Sequence, residues 1–447
     1  MKLVYFMFII ALLGFQGCVK SPSQTDYSVF EENLLKPEVE DLKNFPQDIQ
    51  AYLPNLTART EHLNIQNSYD EKYFEPWNYT KPPFEVDAIL WPFSSYTYGK
   101  SFGENLKPLK REWFNEMANK GNYEAYGTLN KKAISLTYLN LRNFPTSKPL
   151  FKDPSLAGEG FPFDYMQNSG VHANEPLFVS HLSIDGEWAY VFTAYATGWV
   201  NKKGLSFISD KVSKEWQNAR QIELVDENYP IKDLDGNFVF QSRIGMRLAL
   251  ISIKEQHYVA LAITAGKNNA STYTQVKIPQ SIAKEGKLLL NDENIEQVAQ
   301  HMLKSHYGWG GLYEEKDCSS TLRDLYAPFG IWLPRNSKQQ AKVGKVISLD
   351  EFNTQEKKEA ILKYGIPFET LLYKKGHILL YLGEYNGEVA VLQNVWGVKT
   401  LEDGIQGRKV IGRTVISSLE LGKERDDYDP KKGILSQLVS MNIITQE

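Results

Sequence analysis

The sequence predicts a multidomain chain: an α/β, mostly helical N-terminal segment, two small β-modules in succession, and an α+β C-terminal domain that carries the chemistry. Three observations predict it. The 447 residues exceed what one hydrophobic core organises and point to about three domains. Helical spacing gives way to short alternating segments near residue 126, and helices and strands alternate again from about 285. Cys318 stands in Asp317-Cys318-Ser319-Ser320 ahead of a helical pattern, and Gly376-His377 opens an apolar strand. The expected divisions are 1–18 (signal), 19–125, 126–215, 216–284 and 285–447.

The N-terminus begins with Lys2, an apolar run from Leu3 to Phe15 broken by Gly14, then Gln16-Gly17-Cys18. A charged start, a short apolar core and a small residue before the cut are the pattern of a secretory signal. The run is shorter than a spanning helix needs. Phe15-Gln16-Gly17-Cys18 resembles a bacterial lipobox, in which Cys18 becomes the lipidated first residue of the mature chain. The alternative is an ordinary cleaved signal with a chance cysteine. The expectation is therefore an exported lipoprotein, anchored to a bacterial membrane and facing the periplasm or cell wall, with polar Val19–Tyr27 as tether.

Residues 28–125 mix helical stretches, such as Leu109–Ala118, with the aromatic–proline clusters Phe74-Glu75-Pro76-Trp77 and Trp91-Pro92-Phe93, which suit packing anchors. The first β-module is expected from Ala133–Thr137, Leu177–Ser183 and Tyr190–Tyr195 with intervening turn residues. The second carries strands at Leu248–Ile253 and Tyr258–Ile263 and a hairpin turn at Asp235-Gly236. Further on, Asn291-Asp292 caps a helix to about Lys304. Cys318 opens another, with Leu322, Leu325, Tyr326 and Phe329 on one face and Gly330 at its end. Leu333–Ser337 reads as extended. Leu371–Tyr373, His377–Gly383 and Val389–Asn394 read as strands, the last two joined at Tyr385-Asn386-Gly387.

Composition narrows the function. Aromatic residues make up 13% of the chain, including 25 Tyr and 9 Trp, enough for large cores throughout. A net charge of −4 argues against electrostatic nucleic-acid binding. No Cys/His cluster has metal-ligand spacing, and no metal or organic cofactor is implied. Exported proteins mostly use cysteine in disulfides, so a solitary Cys318 points to chemistry rather than bridging, set against the plainer reading of a small buried apolar residue. A helix N-terminus favours the thiolate, and His377 is the best-placed base. The backbone N–H of Cys318 is a natural oxyanion donor. His62, His172, His181, His257, His301 and His306 read as structural or surface residues. A third polar group should orient the imidazole. A two-residue turn at Asn386-Gly387 puts Asn394 on the His377 face, and a three-residue turn through Tyr385 puts Gln393 there.

These residues resemble the bacterial NlpC/P60 family of cell-wall cysteine peptidases. The resemblance rests on Gly308-Trp309-Gly310-Gly311, Asp317-Cys318-Ser319, Leu333-Pro334-Arg335-Asn336-Ser337 with Gln339-Gln340, Leu371-Leu372-Tyr373 leading into Gly376-His377 and the following strand, and Gln393-Asn394-Val395-Trp396-Gly397. Upstream, Phe74-Glu75-Pro76-Trp77 is similar to the N-terminal segment of a multidomain branch. Arg142-Asn143-Phe144-Pro145-Thr146, Pro162-Phe163-Asp164-Tyr165 and Gly198-Trp199-Val200 are similar to its first bacterial SH3-type barrel. The resemblance implies two SH3-like barrels, a papain-like catalytic domain, and Cys318, His377 and Gln393 as catalytic residues, with Asn394 the alternative third member. That position is most often histidine in the family. The implied substrates are peptidoglycan stem peptides or muropeptides, cut between D-glutamate (through its γ-carboxyl) and a diamino acid. Asp317 and Ser319 match positions that hold the substrate's N-terminal end, although Asp317 equally suits a helix cap. The alternatives are a wall-binding lipoprotein with a minor or inactive hydrolase domain, and an amidase or acyltransferase on the same fold.

Overall fold

Three antiparallel sheets carry the fold in the computed structural model, which describes residues 39–62, 69–266 and 271–446. The expected signal, Cys18 and the tether lie outside the described residues. The sheets and their helices belong to one unit, Val39–Glu447.

The first sheet contains β1 (Lys131–Ser135), β2 (Leu139–Arg142), β3 (Gln167–Val171), β4 (Pro176–Leu182), β5 (Trp188–Phe192), β6 (Thr197–Asn201) and β7 (Leu205–Phe207), in the order β3-β2-β6-β5-β4-β1-β7. Strand alternation sends Ala133, Leu141, Val179, Val191 and Val200 into one core and the aromatic Phe178, Tyr190, Phe192 and Trp199 into another. Helix α1 (Arg111–Gly121) precedes this sheet. Trp77 is fully buried and its indole N–H donates to the Ala133 carbonyl at 2.8 Å, so this part of the Phe74–Trp77 cluster is an anchor. Trp91 is not. It is 41% exposed and stands on the rim of a cleft.

After α2 (Asp210–Asn218), the second sheet contains β8 (Gln221–Leu224), β9 (Pro230–Asp233), β10 (Phe238–Gln241), β11 (Arg247–Ile253), β12 (His257–Ala265), β13 (Ser271–Pro279) and β14 (Ala283–Glu285), in the order β10-β9-β13-β12-β11-β8-β14. Asp235-Gly236 turns the β9–β10 hairpin, with Gly236 at φ +90°.

The third sheet contains β15 (Lys345–Ser348), β16 (Thr370–Lys374), β17 (His377–Tyr385), β18 (Glu388–Glu402), β19 (Ile405–Ser417) and β20 (Leu438–Ile443), in the order β15-β20-β16-β17-β18-β19. Helices α3 (Asp292–Met302), α4 (Cys318–Tyr326) and α5 (Thr354–Tyr364) accompany it. Leu322, Leu325 and Tyr326 of α4 share a core with Ile378, Leu380, Leu382 and Leu392, and the N-terminal segment adds Phe45, Ile49 and Tyr52. Truncating one of these leucines would cost about 2–5 kcal/mol. Two strands extend beyond the sequence reading. β18 runs 15 residues and β19, which alternation did not mark, runs 13, joined at Asp403-Gly404. Their distal halves place Val398, Leu401, Ile405, Val410 and Ile411 without regular alternation, so the period-2 signal fades while the Asp-Gly hairpin signal remains. Ser337, expected in extended chain, instead opens a short helix, because Asn336 accepts the Gln339 N–H at 3.0 Å as its cap.

Buried charges tie both β-modules to α4. Lys316 bridges Asp324 of α4 at 2.7 Å and Glu227 at 3.0 Å. Arg323 pairs with Asp324 at 2.6 Å and lies 3.9 Å from the centre of the Tyr195 ring. Such a network fixes α4 relative to the modules rather than adding much net stability.

Candidate active site

Cys318 is the first residue of α4, and the local sequence dictates its position. The Asp317 side chain accepts the Ser320 N–H at 2.8 Å, and the Asp317 N–H donates to Ser320 Oγ at 2.9 Å, forming a capping box. Asp317 is thus a helix cap, and it is also paired. Arg335 donates to both its oxygens at 3.1 and 2.7 Å, and the Gly310 N–H donates to Oδ2 at 3.2 Å. Burial works against the Asp317 carboxylate, but Arg335 holds its pKa below the ordinary value. Arg335 also donates to Ser319 Oγ at 3.0 Å and to Ser169 Oγ of β3 at 2.7 Å, linking the first β-module to the cap. The Gly310-Gly311 turn explains its own composition. Both residues have positive φ (61° and 88°), and a Cβ at either would collide with Gln167, Tyr138 or Gly170.

His377 opens β17, and its Nε2 lies 2.8 Å from Gln393 Oε1. Gln393 in turn donates from Nε2 to Ser417 Oγ at 2.7 Å, and Ser417 Oγ donates to the Ser418 carbonyl at 2.9 Å. The serine proton is committed to that carbonyl, so Ser417 must accept from Gln393. Gln393 therefore presents its oxygen to His377, which places the imidazole proton on Nε2 and leaves Nδ1 with a free lone pair. Asn394 does other work: its Nδ2 donates to the carbonyls of Lys316 at 2.9 Å and His306 at 3.2 Å, steadying the approach to Cys318.

The choice of Gln393 does not come from the turn. The hairpin is the two-residue type, with Tyr385 opposite Glu388 and Asn386 and Gly387 at φ 51° and 82°, the arrangement expected to favour Asn394. The register then shifts between Gly383–Ala390 and Tyr381–Val391. This bulge turns the His377 face toward Gln393. Gly383 at φ +108° makes it possible, and Asn55 holds it by donating to the carbonyls of Leu382 at 3.1 Å and Glu384 at 3.3 Å.

Cys318, His377, Asp317 and Ser319 line one cleft of about 420 Å³, with Gln393 behind His377. Its rim includes Phe163, Tyr165, Gln167 and Asn168 from the first β-module, together with Trp91, Trp309 and Trp396. Phe163 and Tyr165 are aimed there by a buried Arg142–Asp164 ion pair of 2.7 Å that organises their loop. The thiol environment corrects the sequence expectation. Burial pushes the Cys318 thiol up to about 12 and Asp317 adds to this, so the N–H groups of Ile378 and Ser319 offset only part. Burial, with Lys374 adding, holds His377 down to about 4. The resting pair is a thiol beside a neutral imidazole. Helix placement alone predicts a thiolate because it ignores the desolvation imposed by the core that Cys318 shares with Ile378 and Leu380 of β17. Sequence reasoning did not find Arg335, Ser417 or Asn55 as supports, and only Arg335 carried a signal, its place in the Leu333–Ser337 motif.

Residues 304–395 match the NlpC/P60 family, and residues 5–126 match the NLPC_P60 stabilising domain, N term. Residues 149–201 match an SH3 domain of SH3b1 type and residues 209–254 an SH3 domain of SH3b2 type. The chain belongs to the NlpC/P60 family. In this NlpC/P60 protein the first two sheets are the SH3-like modules and the third, with its helices, is the catalytic domain, on the fold of the family's peptidoglycan hydrolases. An NlpC/P60 endopeptidase from Photobacterium damselae subsp. piscicida superposes with a TM-score of 0.74 at 21% identity, over 90% of this chain and 98% of that one. An NlpC/P60 family protein from Bacillus cereus gives a TM-score of 0.47 at 14% identity, over 70% of this chain and 99% of that one. No curated protein is significantly similar to the chain.

Proposed function

We propose that the chain is a cysteine endopeptidase that cuts peptidoglycan stem peptides at the γ-D-glutamyl–diamino acid bond, and that it is exported and lipid-anchored through Cys18. The observation that carries the catalytic reading is the His377–Gln393–Ser417 chain of hydrogen bonds, which leaves His377 Nδ1 as a base in the cleft that holds Cys318. Cys318 Sγ attacks the amide carbon as His377 takes the thiol proton. The C–N bond breaks and the imidazolium returns that proton to the leaving amine. Water, deprotonated by His377, then cleaves the thioester and restores the thiol. Ser319 and Asp317 line the cleft beside Cys318 and hold the N-terminal end of the stem peptide, and the aromatic rim suits a narrow peptide better than a bulky polymer. The Photobacterium relative is itself an endopeptidase.

Purified chain incubated with defined muropeptides and read by mass spectrometry tests the bond. The expected products end in D-glutamate and begin with the free diamino acid. Fragments from another bond would support an amidase on this fold, and intact muropeptides bound without cleavage would support a wall-binding lipoprotein. Labelled palmitate should enter the wild-type chain in cells and not Cys18→Ala. Equal labelling of both would remove the anchor.

A further inference from the structure

The amide of Gln393 has two ends of nearly equal size, and only one orientation leaves the Nδ1 lone pair of His377 free. With the oxygen toward His377, Nε2 carries the proton. Reversed, the NH2 group would donate to Nε2, force the proton onto Nδ1 and occupy the one remaining lone pair. Ser417 decides between the two. Its hydroxyl accepts from Gln393 while its own proton goes to the Ser418 carbonyl. A hydroxyl free to turn could instead donate to the amide oxygen and favour the reversed orientation. The tautomer of His377 therefore turns on where the Ser418 carbonyl is held.

It is held from the other end of the chain. Ser418 directly follows β19, the edge strand of the third sheet. Its backbone N–H and its hydroxyl both donate to Asp41 Oδ2, at 2.9 and 3.2 Å. Two residues back, Gln47 closes the open edge as a further strand would. Its Nε2 donates to the Ile416 carbonyl at 2.7 Å and its Oε1 accepts the Ile416 N–H at 3.0 Å. The same Nε2 donates to the Phe45 carbonyl at 2.9 Å, which fixes the Gln47 side chain. Around these bonds Val39 and Leu42 pack with Val395 and with Val415, the cross-strand partner of Gln393. Burial, with the charges of Glu424 and Glu388 adding, raises the Asp41 carboxyl to about 6. The unfolded chain ionises this group more readily than the fold does, so above the ordinary carboxylate range Asp41 costs stability. Folding alone does not account for it.

We propose that Asp41 and Gln47 are positioning residues for the reaction. By fixing the Ser418 carbonyl they commit the Ser417 proton, orient the Gln393 amide and so set the tautomer of His377. The N-terminal segment, besides lending Phe45, Ile49 and Tyr52 to the core, thus governs the base from outside the cleft. The effect on turnover rests on the endopeptidase reading. The tautomer belongs to the resting chain, whatever bond is cut.

NMR of the full chain, isotope-labelled at histidine, reads the imidazole directly, with His377 assigned by the signal that His377→Ala lacks. Wild type should show His377 protonated on Nε2. Asp41→Ala should populate the Nδ1–H form and lower kcat on the stem peptide about tenfold with KM unchanged. Gln47→Met should act in the same direction. Asp41→Asn keeps an oxygen that accepts from Ser418 and should retain the wild-type signal and rate. Leu42→Ala removes apolar packing from the same segment and keeps both polar groups, so it should lower the melting temperature and leave the tautomer alone. An Nδ1–H tautomer in wild type, an unshifted signal in both Asp41→Ala and Gln47→Met, a shifted signal with the wild-type rate kept, or an equal shift in Leu42→Ala would overturn the proposal. A tautomer shift in a chain that cuts no stem peptide removes the endopeptidase reading and leaves the positioning role standing.

Discussion

The two walls of the cleft hold similar charges and treat them oppositely. On one, Arg335 is buried and saturated by Asp317, Ser319 and Ser169. On the other, Lys374 is partly buried among the charges of Lys399, Arg408 and Lys432, and among the described residues neither Lys374 nor Arg408 forms an ion pair. The paired wall holds the helix that Cys318 opens to the first SH3-like module. The difference separates residues that position Cys318 from cations that no salt bridge ties into the fold.

Substitutions should divide along the same line. The largest effect is expected at the shared centre: His377→Ala should lower kcat by about a thousandfold, as expected for loss of a general acid–base, with melting temperature nearly unchanged. Steady-state kinetics and thermal unfolding check both halves. On the paired wall, Arg335→Met strands the Asp317 carboxylate and should cost about 3–5 kcal/mol by urea unfolding. A loss under 1 kcal/mol would mean the pair is ornamental. The pH dependence carries the same contrast. The depressed Asp317 pKa means its pairing stabilises the fold above the ordinary carboxylate value and is lost as pH falls through the lowered one, so wild type should lose more stability than Arg335→Met on acidification. Activity is a separate readout. With His377 as the neutral base proposed above and its pKa lowered to about 4, kcat/KM should hold as pH falls through 6 and decline only near 4. The smallest effect belongs to the unpaired wall, where Lys374→Met should change unfolding free energy by no more than about 0.5 kcal/mol. A large destabilisation there would erase the distinction between the walls.

What was legible in the sequence follows the range of the interactions. Cys318, its Asp317 cap and the His377 strand are local signals carried within a few residues, and the structure places them as read. The order of modules is likewise visible in the change of hydrophobic period. Gln393 against Asn394 was not decidable, because the register is set by a bulge that Asn55 secures from 327 residues away. The thiol state was misjudged for a related reason: a helix N-terminus is local, whereas the burial that raises the Cys318 pKa is assembled from several elements. The cationic wall was invisible because Lys399 and Arg408 meet on two strands whose distal halves carry no hydrophobic alternation.

The central claim is that Cys318 is the nucleophile. Rapid acid quenching of the wild-type chain with a γ-D-glutamyl stem peptide, followed by peptide mapping, tests it most directly. The account predicts an acyl group on the peptide containing Cys318, with its mass set by the D-glutamyl half, and no cleavage by Cys318→Ala. Product release by Cys318→Ala at the wild-type rate, with no adduct in the wild type, would contradict it.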